Sequence, residues 1–166
     1  MTSVANAVET LRLVTSKEPI AGLAQAFSRA GYELALVGGP VRDAFLGREV
    51  NDLDFTTSAR PDHIEKIVAP LAKATWDVGR EFGTIAAQIG EFRVEITTYR
   101  ADSYDGTSRK PEVVFGDTLE ADLFRRDFTM NAMALTLPEV KLVDPCEGLT
   151  DLLAGVLKTP IAPEES

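Results

Sequence analysis

Residue types on which many reactions depend are nearly missing from this chain. Its 166 residues include one cysteine, Cys146, and one histidine, His63. A lone cysteine excludes an intramolecular disulfide and any multi-cysteine zinc site, and it fits a reducing, cytoplasmic setting. Neither residue has partners at a catalytic spacing, so neither is a candidate for chemistry. His63 stands in Pro-Asp-His-Ile-Glu-Lys, which reads as an exposed helix start. No run reaches the roughly 18 apolar residues of a membrane helix, and the first residues have neither a basic nor an apolar leader region. No membrane partner and no export are therefore expected. Positive charge is also scarce: 17 Lys and Arg stand against 26 Asp and Glu, a net charge of −9. The chain as a whole has no electrostatic pull on a nucleic acid backbone, so such a partner must be held locally or from elsewhere. With 45% hydrophobic residues the chain can still build one packed domain.

The chemistry-bearing residues concentrate between Leu36 and Thr56. An apolar run, Leu34 to Val37, stops at Gly38-Gly39, and Pro40 then opens a short helical pattern of Val41, Ala44 and Phe45. Proline suits a first helical turn, where its missing N–H is no loss. This strand, turn and helix aim free N–H groups, a helix N-terminus and Arg42 at one place, which suits a phosphate. Next, Asp52 and Asp54 flank Leu53 in a strand-like Leu-Asp-Phe-Thr-Thr. Residues i and i+2 of a strand share a face. Two carboxylates side by side favour a hard cation such as Mg²⁺, which takes carboxylates together with substrate phosphates. Alone, a Gly-Gly is an ordinary turn and an Asp-x-Asp an ordinary solvated edge; their combination at one end of a sheet carries the argument.

Around this stretch the pattern is mixed. Residues 1–33 read as two helices broken near Pro19 and stopped at Gly31, and Pro61 opens a helix with Ile64, Ile67, Val68 and Leu71 on one face. Three strand-like segments follow, Ala74–Val78, Thr84–Ile89 and Phe92–Tyr99, the last two joined by a Gly90-Glu91 hairpin turn. In the third, Phe92, Val94 and Ile96 fall on one face and Arg93, Glu95 and Thr97 on the other. Glu95 thus projects from the open face, either as a plain solvent-facing glutamate or beside Asp52 and Asp54. Residues 101–118 read as a long polar flap with Arg109 and Lys110 as substrate contacts. The spacing predicts a helix over 118–137, capped by Thr118 and interrupted by the polar run from Arg125 to Asn131. There Arg126 and Asp127 could pair with each other or cap a helix end. A short strand to Val143, a small helix over 149–154, a strand-like Val156-Leu157-Lys158 and a linker-like Thr-Pro-Ile-Ala-Pro-Glu-Glu-Ser complete the chain.

Five motifs occur in order: Val-Gly-Gly-Pro-Val-Arg-Asp, Asn-Asp-Leu-Asp-Phe-Thr-Thr, Phe-Gly-Thr-Ile, Val-Glu-Ile-Thr-Thr-Tyr-Arg and Arg-Arg-Asp-Phe-Thr-Met-Asn-Ala-Met. Through them the chain resembles the head domain of the class II tRNA nucleotidyltransferase (CCA-adding enzyme) and bacterial poly(A) polymerase family. The resemblance implies an α/β (α+β) fold of the polymerase-β-like nucleotidyltransferase type, a mixed sheet of about five strands with helices on one face. It implies an N-terminal helical arm at 1–33, a catalytic head at 34–159 and, at 160–166, the start of a linker to a neck domain. Gly38, Gly39, Arg42, Arg126, Asp127 and Asn131 would bind the nucleotide. Asp52, Asp54 and Glu95 would be catalytic and hold Mg²⁺, with Mn²⁺ as the alternative. Arg109 and Lys110 would sit in the family's flexible loop. CTP, ATP and a tRNA 3′ end are the implied partners, with base choice made by an acidic-then-arginine motif on the neck helix. This stretch by itself is therefore expected to have little or no activity. Pro40 stands where the family usually has a small residue. Poly(A) polymerase or CC- or A-only addition is the near alternative. A sugar-nucleotide transferase with an Asp-x-Asp metal site, or a non-catalytic nucleotide-binding module, is the distant one.

Overall fold

A computed structural model describes residues 4–38, 52–79, 83–101, 114–116, 118–126 and 132–145. Gly39, Arg42, Arg109, Lys110, Asp127, Asn131 and Cys146 lie outside them, as do the elements expected beyond residue 145.

The local signals form as expected where neighbours in sequence suffice. Helices α1 (Val4–Ser16) and α2 (Ile20–Arg29) lead in, and strand β1 spans Leu34–Val37. Strand β2 spans Asp52–Thr57, followed by α3 (Pro61–Val68) with Pro61 in its first turn. Strands β3 (Ala74–Gly79), β4 (Thr84–Ile89) and β5 (Phe92–Thr98) come next. The β4–β5 hairpin turns on Gly90 and Glu91; Ile89 pairs with Phe92, and Gly90 has φ +60°. That positive φ is the conformation such a tight turn demands and glycine supplies. Of the apolar face expected on α3, Ile64 and Val68 are buried, Ile67 is partly so, and Leu71 lies beyond the helix end, exposed. His63 is on the outer surface, stacked on Tyr32 at 5.5 Å.

The sheet is larger than the five strands expected. Its order among the described residues is β3-β4-β5-β2-β1-β8-β9, where β8 is Ala134–Leu137 and β9 is Lys141–Val143. Only β2 and β5 run parallel; the other neighbours are antiparallel. The difference comes from the segment expected to be helical to residue 137. Helix α4 covers only Leu119–Phe124, with the Thr118 hydroxyl accepting from the Ala121 N–H at 3.3 Å, as its cap was expected to do. Met133, Ala134 and Leu135 do not resume a helix, for β8 pairs in register with β1, Leu34 opposite Leu137 and Val37 opposite Ala134. A short, uniformly apolar run reads equally as buried helix or buried strand. Here both faces of the strand are covered, so no alternation marks it.

One face of the sheet carries the main core. Leu34, Leu36, Leu53, Phe55, Ile85, Ile89, Val94, Ile96 and Leu135 turn to this side and pack against Leu11, Ile20, Leu23 and Phe27 of α1 and α2, and Ile64 and Val68 of α3. On the other face a smaller cluster joins Ala35, Val37 and Ala134 to Leu119 and Leu123 of α4 and to Tyr99. That cluster covers the β1–β8 part, and among the described residues neither apolar cluster extends over this face of β2, β5, β4 and β3, called the open face below, although Thr56 and Ala86 on it are buried. Two short strands, β6 (Arg100–Ala101) and β7 (Val114–Phe115), pair across the ends of the expected flap.

Candidate active site

The parallel pairing of β2 with β5 determines the open face. Asp54 lies directly opposite Glu95, and Asp52 opposite Arg93. All four residues therefore point away from the core that Leu53, Phe55, Val94 and Ile96 enter, as the alternation requires. Asp54 and Glu95 are half-buried and Asp52 is exposed at the start of β2. The Asp54 carboxyl is pushed above the ordinary carboxylate range, first by burial, then by the charges of Glu95 and Asp52, while Arg126 opposes the shift. A carboxylate so placed is stabilised by an added cation.

Positive groups stand next to it. Directly after β1, Gly38 has φ +73° and is buried. A Cβ built there would meet Nη1 of Arg126 at 3.6 Å. Two residues expected at the nucleotide are thus side by side. Arg126 does not depend on Asp127 for a partner, since its Nη2 donates to Asp122 Oδ2 at 3.0 Å. Among the described residues its buried Nε has no hydrogen-bond partner, and neither does the buried Thr56 hydroxyl, two residues beyond Asp54. Asp122 is buried, and its Oδ1 accepts the backbone N–H of Arg100 at 2.9 Å. Arg100 in turn has its pKa lowered by burial and by the neighbouring charge of Arg125, with Arg126 adding and Asp122 opposing. A cavity of about 200 Å³ collects Asp54, Glu95, Arg100, Asp122, Arg125 and Arg126 on its walls.

Carboxylates that call for a cation thus line the same cavity as arginines that repel one another and call for an anion. A divalent cation bound to a polyphosphate meets both demands. Among the described residues no three acidic, histidine or cysteine side chains are gathered closely enough to hold a metal by themselves. Asp54 and Glu95 are neighbours, whereas Asp52 is one row further out and Glu95 leans to Arg93 at 3.7 Å. The set nevertheless fits Mg²⁺, which commonly takes one or two carboxylates and completes its shell with substrate phosphates and water. A larger cavity, about 510 Å³, lies at the start of β1, the end remote from Gly38, bordered by Glu33, Tyr99, Glu120 and Lys141. It contains none of these paired demands.

Residues 34–158 match the family model described as the poly A polymerase head domain. The chain belongs to this family. The head domain is 43% identical over 137 residues to a CCA-adding enzyme of Streptococcus suis and 41% identical over 137 residues to one of Bacillus subtilis. Each match covers 82% of this chain and 33% of the relative, so the chain spans about a third of the length of the curated relatives it matches. Among solved structures, the CCA-adding enzyme of Bacillus stearothermophilus in complex with CTP superposes with a TM-score of 0.71 at 35% identity, covering 87% of this chain and 34% of that one. A tRNA nucleotidyltransferase complexed with a primer tRNA and an incoming ATP analogue gives 0.65 at 33% identity, over 84% and 39% of the two chains. Membership sets aside the sugar-nucleotide transferase reading of Asp52-Leu53-Asp54.

In the head domain, Arg100, Asp122 and Arg125 line this cavity, and sequence reasoning did not single them out. Arg100 and Arg125 lie inside two of the quoted motifs, which was the available signal. Asp122 has none: it sits among apolar helix positions, and only the fold reveals the two donors it accepts from. Among the described residues no helix is long and apolar enough to cross a membrane.

Proposed function

We propose that this chain is the catalytic head of a tRNA nucleotidyltransferase that adds CCA to tRNA 3′ ends, using CTP and ATP with Mg²⁺. The reading rests on one observation above all: Asp54 and Glu95 share a cavity with Arg126, whose guanidinium lies against Gly38. The relatives' names and the neighbours' bound CTP, ATP analogue and primer tRNA agree with it. In this reading residues 34–159 are the catalytic unit, 1–33 an arm, and 160–166 the start of a linker to the base-selecting neck.

The 3′-hydroxyl oxygen of the RNA attacks the α-phosphorus of the nucleotide, its proton passes to water, and the bond from that phosphorus to pyrophosphate breaks as pyrophosphate leaves. Gly38, Gly39, Arg42, Arg126, Asp127 and Asn131 hold and orient the nucleotide, and Arg109 and Lys110 are further substrate contacts. Asp52, Asp54 and Glu95 are the metal ligands. They would hold Mg²⁺, which when bound would supply a lowered pKa for the attacking hydroxyl and charge neutralisation for the leaving pyrophosphate. Protein groups otherwise contribute placement and fixed charge for an in-line displacement.

Poly(A) synthesis is the second reading, favoured by the description of the matching family model. The two separate when the full-length protein is given CTP, ATP and a tRNA lacking its CCA. Addition of C, C and A, then arrest, is expected. Long A tails, or only part of the triplet, would replace the proposal with the alternative.

A further inference from the structure

We propose that Trp76 and Arg93 form a stacking platform for the 3′-terminal base of the single-stranded RNA acceptor. This rests on the transfer reaction proposed above. Across the open face the register sets one row, Asp54, Glu95, Ala86 and Trp76, over β2, β5, β4 and β3. Gly38 and Arg126 mark the nucleotide's phosphates on the β1 side of that row. An in-line displacement needs the attacking hydroxyl opposite the leaving pyrophosphate. The acceptor must therefore come from the side of the carboxylates away from Arg126, over β4 and β3.

There the surface is unusual. Trp76, about 10 Å or two strand spacings from Glu95, is 44% exposed. The Arg93 guanidinium lies over its ring, 5.6 Å from the centroid, and reaches Glu95 at 3.7 Å. Between them Ala86 is fully buried, so neighbouring side chains make the surface there. An arginine laid over an aromatic ring binds single-stranded nucleic acid as one unit, a base stacking on the exposed part of the ring or on the guanidinium plane and the cation drawing a phosphate. Stacking owes little to net charge, so it suits a chain of −9, which otherwise repels an RNA backbone. The occupant that fits is thus the unpaired 3′ end that carries the reacting hydroxyl.

Trp76 is the chain's one tryptophan, so its emission reports on the platform directly. Titration of the full 166-residue chain with a single-stranded oligoribonucleotide ending in CC should quench that emission saturably. Mg-CTP should give heat in a calorimeter with little quenching. Measured with a labelled oligonucleotide, Trp76→Ala should weaken binding roughly tenfold, Arg93→Ala somewhat less, and Trp76→Phe should restore most of the loss. An emission spectrum unmoved by the oligonucleotide, or Trp76→Ala binding as wild type does, overturns the platform. Absence of heat with Mg-CTP counts against the transfer reaction itself, whereas normal heat with an unmoved spectrum removes the platform alone.

Discussion

The two faces of β2 and β5 are made by alternate residues of the same strands, yet they are built to opposite ends. On the covered face, Leu53, Phe55, Val94 and Ile96 are buried among helices, and the polar members are satisfied: Thr98 Oγ1 donates to Ala59 O at 2.7 Å and Thr57 Oγ1 to Glu33 O at 2.5 Å. On the open face Asp54 is driven toward protonation, Arg100 away from it, and among the described residues Arg126 Nε and the Thr56 hydroxyl are buried without hydrogen-bond partners. One face stores stability; the other forgoes it, the pattern that functional sites generally show.

The sharpest break in this contrast should come from Asp54→Asn. Transfer by the full-length protein should fall on the order of a thousandfold, while the unliganded protein becomes more stable. The sign follows from the raised pKa. A folded-state pKa above the unfolded one contributes stability that is complete below the ordinary carboxylate value and lost as pH rises through the folded value. Near neutrality Asp54 therefore destabilises the unliganded fold. Asn should raise Tm by a few degrees at pH 7, a difference that vanishes below about pH 4. Calorimetric melts at several pH values check this; a lowered Tm at pH 7 would contradict it.

Phe55→Ala, one residue away on the covered face, should do the reverse. It removes a buried ring and costs about 3–5 kcal/mol of stability, read by denaturant unfolding. Activity per folded molecule should change far less than in Asp54→Asn.

Asp122→Asn tests whether the cavity is organised from beneath. Asp122 touches Arg126 and the base of the flap, so it is a positioning residue rather than a catalytic one. Loss of its charge should raise KM for CTP roughly tenfold, the cost of one charge-assisted hydrogen bond, with kcat changed less. Asp122→Glu should recover part of the KM. An equal fall in kcat with KM unchanged would argue against this role. At the small end, His63→Ala on the outer surface should leave activity unaltered and stability within about 0.5 kcal/mol.

How far the sequence could be read depended on the range of the interactions. The hairpin at Gly90-Glu91, the cap at Thr118 and the alternation of Arg93, Glu95 and Thr97 are local devices, so residues close in sequence encode them. The same holds for the Asp52-Leu53-Asp54 face. Strand β8 reads locally as helix because its identity depends on β1, about a hundred residues upstream, and on cover from both sides. Asp122 was overlooked for the same reason.

Sequence alone determined the ingredients and their local facing: a glycine corner, two acidic residues on one strand face, a third on another, and an arginine pair in a polar interruption of a helical run. These follow from the period of a strand and from glycine's access to positive φ, which short stretches of chain express without help. Tertiary structure alone decided the register that sets Glu95 beside Asp54, the bond that holds Arg126 to Asp122, and the row that ends in Trp76. Each joins segments distant in sequence, and only packing of the covered face determines which residues of the open face meet.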